Sequence, residues 1–156
     1  MSITFCYTYK TVYGNIVIES DGAAIVCVKT EASSAPVGVK KQDALTDKAA
    51  KELEEYFEGK RQVFGVPLCP QGTDFQRSVW KALQDIPYGE TRSYKQIAEA
   101  IGNPKACRAV GLANNKNPIW IMIPCHRVIG TSGALIGYGG GLSMKKKLLE
   151  LERKSR

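Results

Sequence analysis

The chain has 156 residues, 44% hydrophobic and 24% charged, with a formal net charge of +7. These totals describe one ordinary soluble domain or two small ones with a real core, and they exclude a disordered chain. No apolar run approaches the roughly 20 residues of a membrane helix. The opening residues also lack a basic leader with an apolar segment, so neither a membrane partner nor export is expected.

Five cysteines, at positions 6, 27, 69, 107 and 125, form no CxxC pair. Their odd number and irregular spacing argue against a disulfide framework and for a reducing, cytoplasmic setting. His126 is the only histidine, so a zinc site would have to be an unusual cysteine-rich one. No metal and no cofactor are expected. Residues 1–70 carry a net charge of −1 and residues 71–156 a net of +8. A basic second half suits a polyanion partner, and suits a merely solubilising surface equally well.

In chain order, residues 3–10, 15–20 and 23–30 read as strands, separated by turn-forming Tyr-Gly-Asn and Ser-Asp-Gly. Residues 31–42 read as a loop. Residues 45–60 read as a helix with Thr46 as N-cap and Gly59 as its stop, and 61–68 as one more strand. Composition and charge both change at 69–74, which sets the expected domains at 1–70 and 71–156. Beyond that boundary, 73–86 carries an apolar helical stripe of Phe75, Val79, Leu83 and Ile86. The segment 93–102 opens with Ser93 and Gln96 in capping-box spacing and closes on Gly102. Next, 103–115 opens with Asn103 as N-cap and Pro104 at the first helical position. Two short helices about a tight turn outline a helix-turn-helix. The second is slim, with Ala106, Cys107, Ala109, Gly111 and Ala113 around one long cation, Arg108. Residues 118–124 read as a buried strand or extended segment, and 143–154 as a last helix capped by Ser143, with Lys145–Lys147 on a solvated face.

Cys125 directly precedes His126. A thiol beside an imidazole begins nucleophilic chemistry, because the thiolate is the reactive form and a nearby base generates it. Adjacent residues point apart in a strand, so the pair needs the bend that Pro124 favours. The imidazole needs an orienting acceptor, and Glu150 and Glu152 are the nearest acids downstream. A buried structural thiol is the alternative.

The segment 117–152, with I-P-C-H-R-V, then G-Y-x-G-G-L, then K-x-x-L-L-x-x-E, resembles the active-site segment of the O6-alkylguanine-DNA alkyltransferases, also called methylated-DNA–protein-cysteine methyltransferases. Residues 71–117 resemble the same family's DNA-binding part. Residues 1–70 resemble its N-terminal domain in layout only. The resemblance implies an α+β architecture: a small antiparallel-sheet domain, ribonuclease H-like, before a mainly helical domain with the helix-turn-helix. It implies single-turnover repair, in which Cys125 takes the alkyl group from O6-alkylguanine in double-stranded DNA and keeps it. His126 would be the base, acting through a water, and Glu152 would hold it. Asn117 would tie the helix-turn-helix to the cysteine loop, and Tyr94 would press on the target phosphate and help protonate the leaving purine. Arg108 would fill the gap left by the flipped nucleotide, from a helix in the minor groove whose Ala106 and Gly111 let it approach closely. Lys95, Asn103 and Thr131 would touch the DNA backbone. Val128, Tyr138 and Gly139 would hold the base edge, with Trp120 beside the pocket where the family commonly has a small residue or proline. A monomer is implied. The alternatives are a non-catalytic lesion-binding relative, which would lack Cys125, and a cysteine hydrolase, which would leave Arg108 and the basic half unexplained.

Overall fold

The computed structural model describes residues 3–31, 38–130 and 141–155. By internal packing the chain forms two compact units, Met1–Gln71 and Gly72–Arg156.

In the first unit, β1 (Phe5–Thr11), β2 (Gly14–Ser20) and β3 (Ile25–Thr30) form an antiparallel meander. A short fourth strand, β4 (Val39–Lys40), pairs parallel to β1, so the sheet is mixed, in the order β3-β2-β1-β4, where wholly antiparallel pairing was expected. β2 is central, and its Ile16, Val17 and Ile18 are all buried, as suits β-branched residues in a strand flanked on both sides. The helix α1 (Ala44–Phe57) buries Ala49, Leu53 and Tyr56. Its N-cap is Asp43, with Thr46 at the third helical position completing the capping box; Thr46 is not the cap itself. The reason is reciprocity: the Asp43 carboxylate accepts from Thr46 N at 2.7 Å while Thr46 Oγ1 accepts from Asp43 N at 2.9 Å. Residues 61–68 are not a strand. Only Leu68 bridges to Ile25, and buried Glu52 holds the segment from the helix side by accepting from Gly65 N and Val66 N.

In the second unit, α2 (Asp74–Gln84) and α3 (Tyr94–Ala100) open with full capping boxes, Thr73 with Gln76 and Ser93 with Gln96. α4 (Cys107–Asn115) packs on both. Trp80 fixes α2 to α4, with its indole buried and Nε1 donating to Ala113 O at 2.8 Å. α4 starts later than Asn103 and Pro104 suggest. Asn103 N is spent closing α3 on Ala98 O, and Asn103 O accepts from Ala106 N in a separate turn, so the ladder begins at Val110 N to Ala106 O. Two two-residue strands, β5 (Arg92–Ser93) and β6 (Val128–Ile129), pair in parallel. Because β5 runs directly into α3, this parallel pairing sets the N-terminus of α3 beside the end of β6. The last helix, α5 (Leu142–Lys154), is capped by Gly141 at φ 94, not by Ser143; a left-handed backbone there favours glycine. Among the described residues no helix is long and apolar enough to cross a membrane.

Candidate active site

Residues 118–124 are not a regular strand. Ile121 has φ 72, a strained value for a β-branched residue, and Met122 N reaches back to Trp120 O at 2.8 Å in a γ-turn. Pro124 then sits at φ −80, ψ 64, and Cys125 N donates to Ile123 O at 2.8 Å, a second, inverse γ-turn. The chain is thus bent sharply twice before Cys125. Buried Asn117 supports the bends from within: Nδ2 donates to Ile123 O at 2.8 Å and Oδ1 accepts from Ile119 N at 3.0 Å. Cys125, His126 and Arg127 follow as one turn of 3₁₀ helix, all buried. In that geometry the neighbouring Cys125 and His126 are no longer forced to opposite faces.

Behind the turn lies a closed set of charges. Glu152, on α5, is fully buried and accepts four hydrogen bonds. Arg127 binds it bidentately, Nε to Oε1 at 2.8 Å and Nη2 to Oε2 at 3.0 Å. His126 Nε2 lies 2.6 Å from Oε2, and Gly89 N donates to Oε1 at 3.2 Å. The same guanidinium donates to Ile86 O at 2.7 Å and lies over the Tyr88 ring, 5.7 Å from its centroid. Burial by itself would raise the Glu152 carboxyl. The bonds and charges of His126 and Arg127 outweigh it and hold the group at about 2. Burial lowers the His126 pKa, so the ring is neutral at neutral pH. A carboxylate only accepts, so His126 must present Nε2–H to it, and Nδ1 then carries the lone pair. The arrangement therefore yields a neutral imidazole of defined tautomer, basic at Nδ1, beside a buried thiol.

Two further groups share this space. Tyr94, at the start of α3, is half-buried, and its phenol is raised by burial and by the negative charge that Cys125 can carry. Lys145 corrects the expectation of a solvated face: it is fully buried, and its ammonium donates to Val128 O. Burial pushes it down to about 8 against the pull of Cys125. Lys145, Leu148 and Glu152 fall at i, i+3 and i+7, one helical stripe, and that spacing was the signal in the sequence. Arg127, the clamp on Glu152, and Asn114, whose Nδ2 donates to Cys125 O at 3.4 Å, also belong here, beyond the residues that the sequence singles out.

The structure gathers Cys125, His126, Glu152, Asn117, Tyr94 and Val128 into one region of the second unit. Arg108 is exposed on α4, with Lys95 and Asn103 exposed and Ala106 half-buried. Gly111 faces Tyr94: a Cβ there would lie 3.9 Å from the ring. Trp120 is half-buried in the first bend. Thr131, Tyr138 and Gly139 lie outside the described residues.

Residues 74–154 match the family model of the 6-O-methylguanine DNA methyltransferase DNA-binding domain, and residues 4–70 that of its ribonuclease-like domain. A methylated-DNA–protein-cysteine methyltransferase of Methanosarcina barkeri is 65% identical over 104 residues, 67% of this chain and 66% of that protein. Its counterpart in Mycobacterium leprae is 46% identical over 151 residues, 95% of this chain and 92% of that protein. Among solved structures, Mycobacterium tuberculosis O6-methylguanine methyltransferase aligns with TM-score 0.91 at 44% identity, covering 99% of this chain and 95% of that one. The Mycobacterium tuberculosis OGT in complex with DNA aligns with TM-score 0.91 at 45% identity, covering 97% and 94%.

Proposed function

The chain belongs to the 6-O-methylguanine DNA methyltransferase family, and from that membership we propose that it repairs DNA by moving the alkyl group of O6-alkylguanine irreversibly onto its own Cys125. The observation that carries this reading is the buried Cys125–His126–Glu152 sequence of groups, ending on a carboxylate that Arg127 keeps ionised.

His126 Nδ1 takes the thiol proton through a water, and Nε2–H stays on Glu152, which steadies the imidazolium that forms. The thiolate attacks the alkyl carbon, a carbon–sulfur bond forms and the bond to O6 breaks. The electron pair goes to the purine, and Tyr94 assists its protonation. A thioether is a very poor leaving group, so nothing returns Cys125 to its starting state and each molecule acts once. Incubation with a duplex holding one O6-methylguanine should remove one lesion per protein molecule; continued removal beyond one equivalent would exclude this chemistry.

The target carbon is inside a stacked duplex, so the nucleotide must be extruded, at a cost of a few kcal/mol. Arg108, exposed on α4, takes its place, while the small residues of that helix admit it to the minor groove, roughly 6 Å wide. Lys95, Asn103 and Thr131 contact phosphates, which position without reading sequence. Val128, Tyr138 and Gly139 hold the base edge, with Trp120 limiting adduct size. The five free cysteines fit a reducing cytoplasm, and a complete set of reacting groups on one chain fits a monomer.

Arg108→Ala should slow repair of duplex by on the order of 10- to 100-fold, the factor that about 1.4–2.8 kcal/mol of the extrusion cost represents. Its reaction with free O6-benzylguanine should be unchanged, because no gap has to be filled. Equal losses on the two substrates, measured as single-turnover rates, would remove Arg108 from this role.

A further inference from the structure

Asn114 lies in the last turn of α4 and is 1% exposed. Its Nδ2 donates from that helix, which also carries Arg108, to the carbonyl of Cys125 at 3.4 Å. The same carbonyl accepts from Val128 N, closing the 3₁₀ turn. The Asn114 backbone carbonyl meanwhile accepts from Asn117 N at 3.4 Å, so the residue touches the bent segment at both its ends. Its other side-chain atom, Oδ1, is buried with no hydrogen-bond donor among the described residues.

That combination is costly as packing. A buried amide oxygen that lacks a donor costs free energy that an apolar side chain of the same branching, such as leucine, would not. A polar side chain at such a place calls for a role beyond filling volume. The only bond its side chain makes among those identified is to the peptide that follows the thiol. An amide oxygen facing that carbonyl would be repelled, so the bond also fixes which end of the side chain points there. Two donors on one carbonyl set the plane of the Cys125–His126 peptide. That plane sets the backbone angle of Cys125, and hence where Sγ points relative to the imidazole.

We propose that Asn114 is a positioning residue for the nucleophile, its amide holding the Cys125 carbonyl so that the thiol is presented in one orientation. The inference rests on Cys125 being the alkyl acceptor. It assigns to the DNA-reading helix a second part, distinct from that of Arg108: one face meets the duplex and another, buried face aims the sulfur.

The test uses Asn114→Asp, which keeps the shape but replaces the donor by an acceptor, and Asn114→Leu, which keeps the branching but removes the donor. Single-turnover rates at saturation are measured with methylated duplex and with free O6-benzylguanine, together with affinity for unmodified duplex. Both variants should lose about tenfold or more in rate, and equally on both substrates, because misaimed sulfur affects every substrate. Affinity for unmodified duplex should stay within about twofold, which a loss of transition-state alignment predicts. Variant rates matching the parent's would overturn the proposal, as would a loss confined to affinity. A parent protein that transfers nothing would instead sink the assignment of Cys125. Should either variant fail to fold, the parent supplies the answer by NMR. The Asn114 side-chain amide protons should exchange slowly with solvent and shift when Cys125 is alkylated; rapid exchange with no shift would overturn the proposal too.

Discussion

Glu152→Gln should cost both activity and stability. The four nitrogens that hydrogen-bond the Glu152 carboxylate among the described residues are donors: two of Arg127, Nε2 of His126 and the amide of Gly89. An amide brings an NH₂ of its own into that ring of donors, so at least one pairing becomes donor against donor. The imidazole can relieve this by moving its proton to Nδ1 and accepting at Nε2, which removes the lone pair that serves as base. The rate of alkyl transfer should fall on the order of 10²–10⁴-fold, the range for loss of a positioned base or of its correct tautomer. Arg127, 6% exposed, would also lose the charge that neutralises it. Leaving one partner of a buried pair uncompensated costs about 3–5 kcal/mol, a large part of a typical domain's stability. Urea denaturation and single-turnover kinetics on the same samples check the two effects. A variant as stable and as fast as the parent would show that Glu152 does neither job.

The same carboxylate makes stability depend on pH. Its pKa falls from the model-peptide 4.5 to about 2 on folding, so its contribution is complete above 4.5 and is lost as pH drops toward about 2. The shift corresponds to about 3 kcal/mol. His126 acts in the same direction. Its folded pKa lies below the ordinary 6.5, so unfolding binds a proton there, and that share of stability is present above 6.5 and erodes below it. Acid should therefore destabilise this unit in two stages.

Cys125→Ala should abolish transfer altogether while leaving lesion recognition intact. In the proposed reaction the thiol sulfur forms the new bond, and neither Lys145 nor Tyr94 can replace it: Lys145 is buried with its ammonium on Val128 O, and Tyr94 is held neutral by its raised pKa. In the proposed complex binding rests instead on Arg108 and the basic residues of the second unit, which the substitution does not touch. The variant would behave as a lesion-binding protein without chemistry, with gel-shift affinity for an O6-methylguanine duplex within a few-fold of the parent's and no lesion loss. Residual transfer would point to another acceptor, and lost binding would mean that Cys125 supports the fold.

Much of the fold and of the site is legible in the sequence. Strand alternation, the Ser93–Gln96 capping box and the Cys125-His126 pair are local patterns, and local patterns survive folding. What could not be read depends on distant partners. Asn103 followed by Pro104 has the composition of a helix start, yet its amide is claimed by Ala98 O of the preceding helix. Residues 118–124 look like a strand because they are apolar and β-branched. Their backbone is bent by Asn117 bonds to Ile119 and Ile123, and Ile121 holds a strained angle that no propensity scale favours. Lys145 looks solvated in the sequence because charge runs usually are. Only its stripe with Leu148 and Glu152 betrays that one lysine of the three faces inward.

At the centre of the proposed function stands one sulfur, to be made reactive by a neutral imidazole that a buried carboxylate holds in place. The direct measurement is peptide mass spectrometry after the protein has met a stoichiometric amount of O6-methylguanine duplex. One added methyl group on the peptide containing Cys125, and none on those containing Cys6, Cys27, Cys69 or Cys107, is the expected spectrum. Intact protein with an unmodified Cys125 peptide, beside a duplex that has kept its methyl groups, would contradict it.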